Sequence, residues 1–311
     1  MSETRPGRRP APLGVTLGDP AGVGPEVTLK ALARLRVRRA VLVGPRAVIA
    51  GAARRLRLAL PAGFAVDDTG NPGRFTPGRV QANCGAAALA ALERGAELLG
   101  RGEVSALVTA PVSKAALRRA GFRWPGQTEF LAERLGAART AMLAWTPRYK
   151  AVFVTIHLPL ADVPGAITAG AVFEKAVLLE EFLRRELRRR PRIGVLALNP
   201  HGAEFGRGEE RRIAAGVARA RRAGVDAAGP VCADAVGPWL GRVDGWVAMY
   251  HDQAMIPAKL LGPGVNVTLG LGAVRTSPLH GTAFDIAGRG IADPGSMVAA
   301  IRLARRLART A

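Results

Sequence analysis

Residues Trp246–Arg289 read WVAMYHDQAMIPAKLLGPGVNVTLGLGAVRTSPLHGTAFDIAGR. The apolar run Trp246–Tyr250 has the length and bulk of a buried strand. His251, Asp252 and Gln253 follow with no spacer. Lys259, an Asn266 inside a second apolar run, and Arg275 after GLGAV come next. Ionisable groups just past the carboxyl end of a strand stand where open α/β sheets bind ligands. The plainer reading of the same residues is a strand end and a solvated loop, so the surrounding chain has to decide.

The chain has four histidines, and two more of them repeat the pattern. Ala151–Ile156 is an apolar run that ends at His157, and Ile193–Leu198 leads through Asn199 and Pro200 to His201. If the three runs are strands of one parallel sheet, their carboxyl ends share an edge and three imidazoles can converge. Three neutral imidazoles with an open position suit a divalent metal such as zinc. Asp252 and Asp234 are then carboxylate ligands or hydrogen-bond partners of ligands. Three unrelated, separately hydrogen-bonded histidines are the competing reading; the threefold coincidence favours the metal. Lys259 and Arg275 stand outside the arginine runs and suit a phosphate or carboxylate. His280, in the loop Ser277–Ala283, is a further polar candidate.

The rest of the chain alternates strand and helix patterns. Leu13–Leu17, Val41–Val43 and Ala106–Thr109 are predicted strands. Helices are predicted over Val27–Leu35, from Gly44 through Arg57, over Ala86–Leu99, from Ser113, from Gln127, and over Val172–Arg189, Glu209–Ala223 and Ser296–Ala308. This alternation argues for a mostly parallel α/β sheet. The loop GDPAGVGPE, Gly18–Glu26, is either an anion cradle at a helix N-terminus or a tight strand-to-helix turn. It lacks the GK[ST] ending of one nucleotide signature, and Val27 stands where GxGxxG needs its last glycine. Pro61–Arg79, rich in Gly, Pro, Asp and Asn, is predicted to be a surface excursion. Gly121–Gly126 is a candidate domain boundary.

Composition narrows the classes. The 311 residues allow one or two domains with a sizeable core. The net charge of +21 is strongly basic. The arginines, however, fall in runs on helical stretches (Arg34–Arg39, Arg184–Arg190, Arg211–Arg222, Arg302–Arg309), which is the pattern of solvated helix faces. No nucleic-acid-binding motif accompanies them, so specific nucleic-acid binding is a remote alternative. Two cysteines, Cys84 and Cys232, form no CxxC pair and fit a reducing compartment. With no signal-like N-terminus and no apolar stretch of membrane length, a cytoplasmic protein is expected.

Eight segments then resemble one family in sequence and order: GDPAGVGPE, LVTAPVSK, PGQTEFLAE, TIHLPL, LNPHGAEFGRGEE, GPVCADAVG, YHDQAMIPAK and GVNVTLGLGAVRTSPLHGTAFDIAGRGIADPGSM. The chain resembles the 4-hydroxythreonine-4-phosphate dehydrogenases of pyridoxal 5′-phosphate biosynthesis. The resemblance implies a homodimer of two-domain α/β subunits, similar to isocitrate and isopropylmalate dehydrogenases, with the active site in the interdomain cleft. A first domain is expected over 1–125 plus 285–311 and a second over 126–284, carrying the metal and substrate residues. His157, His201 and His251 are implied as ligands of a divalent metal (zinc, magnesium or cobalt), contributed by both subunits. Gln127, Thr128, Lys259, Asn266 and Arg275 match substrate positions. Gln127 departs from the family, which commonly carries histidine there.

The implied reaction is oxidation of the C3 hydroxyl of 4-phosphooxy-L-threonine by NAD, or NADP. The β-keto acid formed loses carbon dioxide to give 3-amino-2-oxopropyl phosphate. Asp252, Lys259 or a metal-bound water takes the hydroxyl proton. Sister enzymes that act on threonate or erythronate 4-phosphate, or on cyclic dihydrodiol carboxylates, share the same segments.

Overall fold

The protein is described from a computed structural model covering residues 11–59 and 64–309. The basic residues 1–10 and the first part of the Pro61–Arg79 stretch lie outside the described residues. In chain order the elements are β1 Leu13–Thr16, α1 Gly24–Arg34, β2 Ala40–Val43, α2 Arg46–Leu56, β3 Phe64–Asp67, α3 Ala82–Gly100, β4 Ala106–Thr109, α4 Lys114–Arg119 and α5 Gln127–Arg134. They continue with β5 Ala141–Trp145, β6 Lys150–Phe153, α6 Val163–Ala166, α7 Ala169–Leu187, β7 Arg192–Leu196, α8 Glu209–Arg222, β8 Asp226–Val231, β9 Gly245–Ala248, α9 His251–Leu260, β10 Val265–Leu269, β11 Arg275–Pro278 and α10 Gly295–Leu307. Two compact units emerge. One runs to Leu135 and resumes over Ala273–Ala308; the other is Gly136–Gly272.

In the first unit the strand order is β3-β2-β1-β4-β11, and every neighbour is parallel. Parallel pairing demands crossover helices on the sheet faces, so the strands are buried on both sides. Leu13, Val15, Leu107 and Val108 are accordingly buried. The surface excursion expected at Pro61–Arg79 needs correction, because β3 lies inside it and pairs with β2. Four residues of partly exposed edge strand carry too little apolar signal to stand out among glycines and prolines. The Gly121–Gly126 break lies inside the first unit. Its Phe122 and Trp124 rings pack against Phe130 of α5, at centroid distances of 5.7 and 5.0 Å.

In the second unit the order is β10-β5-β6-β9-β7-β8. β6, β9, β7 and β8 are parallel, whereas β5 pairs antiparallel with both β6 and β10. The three histidine-bearing strands are therefore adjacent, in the order β6-β9-β7, as a parallel sheet requires for their ends to share an edge. α7 and α8 lie together, with Cys-free faces of Val172, Leu179, Ile213 and Val217 buried. Among the described residues no helix is long and apolar enough to cross a membrane.

Candidate active site

β6 and β9 end in register, Phe153 opposite Ala248. His157 follows β6 by four residues, and His251 opens α9 directly after Tyr250. The two imidazoles come together, with ring centroids 6.0 Å apart, and Phe153 stacks on His251 at 5.9 Å. The Nδ1 atom of His251 lies 2.6 Å from Asp252 Oδ1. A carboxylate there favours the Nδ1–H tautomer and leaves Nε2 as the outward lone pair. His201, after β7, sits in the left-handed backbone region at φ 53° and packs edge-on against Phe205. Among the described residues no group of three or more His, Cys, Asp or Glu side chains stands close enough to hold a metal ion. One chain thus joins His157 to His251 but does not join His201 to them. Asp234 is exposed in a short 3-10 turn after β8.

The second constellation lies in the first unit. Arg275 opens β11 and is buried, at 2 % exposure. Its Nε and Nη2 donate to Thr109 Oγ1, at 3.2 and 2.6 Å, and Nη2 also donates to Gln127 Oε1 at 3.1 Å. Burial pushes the guanidinium down to about 10, opposed by the nearby charge of Glu129. Thr109 ends β4, and Gln127 is the first residue of α5 with Thr128 beside it. The carboxyl end of β4, the first residue of β11 and a helix N-terminus therefore meet around a cation in low dielectric, where its attraction for an anion is strongest.

The remaining candidates are more dispersed. Lys259 is exposed on the last turn of α9. Asn266, in β10, has its Oδ1 buried without a hydrogen-bond partner. His280 faces its neighbour's carbonyl through Nδ1, 2.9 Å from Gly281 O, and its Nε2 is likewise buried without a hydrogen-bond partner.

The glycine loop resolves toward the tight turn. A Cβ on Gly18 would meet Pro111 O at 2.2 Å, and one on Gly24 would meet Leu17 O at 2.3 Å. The N–H groups of Asp19, Ala21, Gly22 and Val23 are all engaged within the unit, by Pro111 O, Asp19 Oδ1, Asp19 O and Thr282 O. Glu26, the last residue of that loop, is a buried clamp. It accepts from the N–H groups of Gly290 and Ala292 at 3.2 and 2.8 Å, and from Lys30 Nζ at 2.7 Å. Beside it, Arg55, Leu56, Gly288 and Arg289 help line a cavity of about 220 Å³.

Sequence reasoning also missed the acids that shape the His201 turn. Glu210 Oε1 accepts from the N–H groups of Leu198 and Asn199 at 3.2 and 2.9 Å, and the Asn199 amide reaches both Glu210 oxygens. Glu209 accepts from Arg207 N at 2.6 Å. Its own backbone N–H and that of Arg207 hold its carboxyl below the usual range. The GEE ending of the LNPHGAEFGRGEE segment was the available signal: two acids placed too close behind the histidine turn to be only a helix-start pair.

These features define the class first: an α/β chain whose fold is shared by isocitrate dehydrogenase from Methylococcus capsulatus. That likeness, at TM-score 0.50 and 14% identity over 96% of this chain and 88% of the other, is one of fold alone. More particularly, the chain belongs to the family of the pyridoxal phosphate biosynthetic protein PdxA, whose model matches residues 34–304. A 4-hydroxythreonine-4-phosphate dehydrogenase from Geobacter metallireducens is 44% identical over 95% of each chain. The crystal structure of 4-hydroxythreonine-4-phosphate dehydrogenase from Klebsiella pneumoniae superposes with a TM-score of 0.85 at 36% identity, covering 96% of this chain and 99% of that one. A terephthalate 1,2-cis-dihydrodiol dehydrogenase from Burkholderia xenovorans gives 0.67 at 30% identity, covering 94% and 97%.

Proposed function

We propose that the protein is a dehydrogenase that oxidises the C3 hydroxyl of 4-phosphooxy-L-threonine with NAD, or NADP, and yields 3-amino-2-oxopropyl phosphate after loss of carbon dioxide. The observation that carries this reading is the likeness to a 4-hydroxythreonine-4-phosphate dehydrogenase across nearly the whole chain, both units included. Arg275, with Gln127 and Thr128 at the start of α5, binds the anionic end of the substrate. A charge-assisted bond there contributes about 1.5–3 kcal/mol. The unpartnered Asn266 oxygen takes a hydrogen bond from a substrate donor, since buried polar atoms without partners are rare.

His157 and His251 fit a divalent cation: both are imidazoles, they stand side by side, and Asp252 holds His251 in the tautomer that frees Nε2. When bound, the ion supplies Lewis acidity at the reacting hydroxyl, and the nicotinamide accepts the hydride. His201 completes the ligand set from a second copy of the chain. α9 supports such a dimer, because Ile256 and Leu260 are 59% and 80% exposed on it. Apolar side chains that large call for a cover. Lys259 lies between them, eight residues from His251 or about 12 Å of helix rise. In the dimer, Lys259 serves its partner's substrate as a counter-charge or base. Asp252, engaged by His251, acts through that imidazole. A soluble biosynthetic enzyme of the cytoplasm fits these features, with no membrane or specific nucleic-acid partner.

The test is NADH formation, followed by absorbance, on 4-phosphooxy-L-threonine, D-threonate 4-phosphate and a cyclic dihydrodiol carboxylate, with and without a chelator. Turnover on the first, abolished by chelation, is expected. Turnover on the dihydrodiol alone would assign the chain to the activity named for the Burkholderia structure.

A further inference from the structure

We propose that Gln253 is a positioning residue that sets the His251 turn against the His201 turn, with Thr155 and Glu210 bracing its two flanks. The link to catalysis rests on the metal reading above; the geometric claim does not.

The parallel ladder between β9 and β7 ends at Val247 opposite Val195. Past that pair the two strands no longer pair with each other, and one backbone goes on to His251 and the other to His201. The Gln253 amide joins them. Its Oε1 accepts from Met249 N at 2.7 Å, and its Nε2 donates to Ala197 O at 2.7 Å. A backbone N–H only donates and a carbonyl only accepts, so the partners dictate which way the amide points. Gln253 lies in the first turn of α9, two residues after His251, and its anchorage fixes the setting of that turn.

Both flanks are held as well. Thr155, two residues before His157, donates to Met249 O from its N–H at 3.1 Å and from its hydroxyl at 2.7 Å. Met249 is fully buried and is tied through its N–H to one neighbour and through its carbonyl to the other. On the far side Ala197 N donates to Val231 O at 2.7 Å, and Glu210 then takes over at Leu198 and Asn199. The brace runs without a gap from Thr155 through Met249, Gln253 and Ala197 to Glu210. It ends at Asn199, two residues before His201. His201 is a non-glycine residue at positive φ, a conformation that persists only where its surroundings over-determine it.

The chemistry demands glutamine. Leucine offers neither bond. Glutamate keeps the acceptor for Met249 but faces the Ala197 carbonyl with a second oxygen. Asparagine is one methylene too short to span both partners.

The test uses the full-length protein with labelled histidine, whose four imidazoles give a short, assignable spectrum. In Gln253→Leu the His201 and His251 resonances move and His280 stays. In Gln253→Glu, His201 moves more than His251. Zinc affinity, measured by competition with a chromogenic chelator, falls about 10–100-fold in both variants. Turnover number falls while KM for the phosphorylated substrate holds, because Arg275 is untouched. A lower thermal midpoint with unchanged imidazole resonances and zinc affinity would reduce Gln253 to a structural residue and overturn the proposal. If wild type itself binds no divalent ion, the metal reading fails. The imidazole spectra then decide the claim about Gln253: movement of both histidines sustains it and unchanged spectra overturn it. Should Gln253→Leu not fold, the near-isosteric Gln253→Glu carries the same comparison.

Discussion

Arg275 Nη2 donates to Gln127 Oε1 at 3.1 Å. Because a guanidinium only donates, the amide oxygen must face it, and the two N–H groups of Gln127 turn away, free to meet an anion. The same argument governs a histidine placed at this position. An imidazole accepting from Arg275 has to be neutral at that nitrogen, so it offers one N–H and no charge. Gln127→His should therefore change catalytic efficiency on 4-phosphooxy-L-threonine only several-fold. Gln127→Leu, which strands the Arg275 donor, should lose about 1–3 kcal/mol, or 5- to 150-fold. Steady-state kinetics on the phosphorylated substrate and its dephosphorylated analogue separate the two. Equal efficiency on both compounds in wild type would remove the anion-binding role from this corner.

Burial of Arg275 sets function against stability. Its guanidinium is held down to about 10 by desolvation, so it stays charged at neutral pH but carries that charge at a greater cost than it would in water. Replacing a buried ionic group by an apolar one of similar size is often neutral or stabilising by about 1–4 kcal/mol. Arg275→Met is expected to keep or raise the thermal midpoint while catalytic efficiency falls about 10- to 100-fold, the worth of a charge-assisted bond. A variant that unfolds early, with residual activity per folded molecule intact, contradicts this assignment.

Asp19 supplies a pH dependence. It is fully buried, and burial raises its pKa against the lowering effect of the Ala21 and Ser113 N–H groups. A carboxyl raised in the folded state binds its proton more tightly there than in the unfolded chain. Its ionisation thus penalises folding above the unfolded pKa, and the penalty disappears as pH falls. Asp19→Asn keeps the acceptor for Ala21 and cannot ionise. The midpoint of Asp19→Asn minus that of wild type should therefore grow between pH 4 and pH 7. Thermal melts at the two pH values check the sign; a constant difference refutes it.

Glu26 joins α1 to the Gly290–Ala292 segment through two backbone N–H groups and Lys30. Glu26→Ala leaves those donors without their acceptor, and Lys30 is only partly buried, so its share is screened. A loss of about 2 kcal/mol is expected from the stranded backbone donors, read as a lower urea midpoint with an unchanged slope. Glu26→Gln, which keeps one acceptor, should lose less.

Much of this was legible before folding. The strand runs ending in His157, His201 and His251 announced a parallel sheet, and β6, β9 and β7 are neighbours because such runs need crossovers to pair. What stayed hidden was tertiary. Ala141–Trp145 is a short apolar run whose antiparallel pairing with β6 and β10 no local period reveals. α9 begins on His251 itself, so the plainer reading of a strand end and solvated loop gives way to a helix start. Gln253 and Glu210 read as ordinary polar residues, because their partners lie on other strands. The clustering of Thr109, Gln127 and Arg275 spans distant parts of the chain that only the parallel pairing of β4 with β11 unites.

The closeness of His157 and His251 in one chain, with ring centroids 6.0 Å apart, tells how the proposed shared metal site would be divided. In the proposed site those two act together, and His201 is supplied by the second copy. A mixture of His157→Ala and His251→Ala should then stay inactive, since in each heterodimer both sites lack a ligand. A mixture of His157→Ala and His201→Ala leaves one intact site in every heterodimer. Random exchange should restore about a quarter of wild-type turnover from two inactive parents in a closed twofold dimer. Mixing after mild denaturation, with heterodimers resolved by differential tags, gives the measurement. Recovery in the first mixture but not the second would mean that His157 and His251 ligate from different chains despite their proximity.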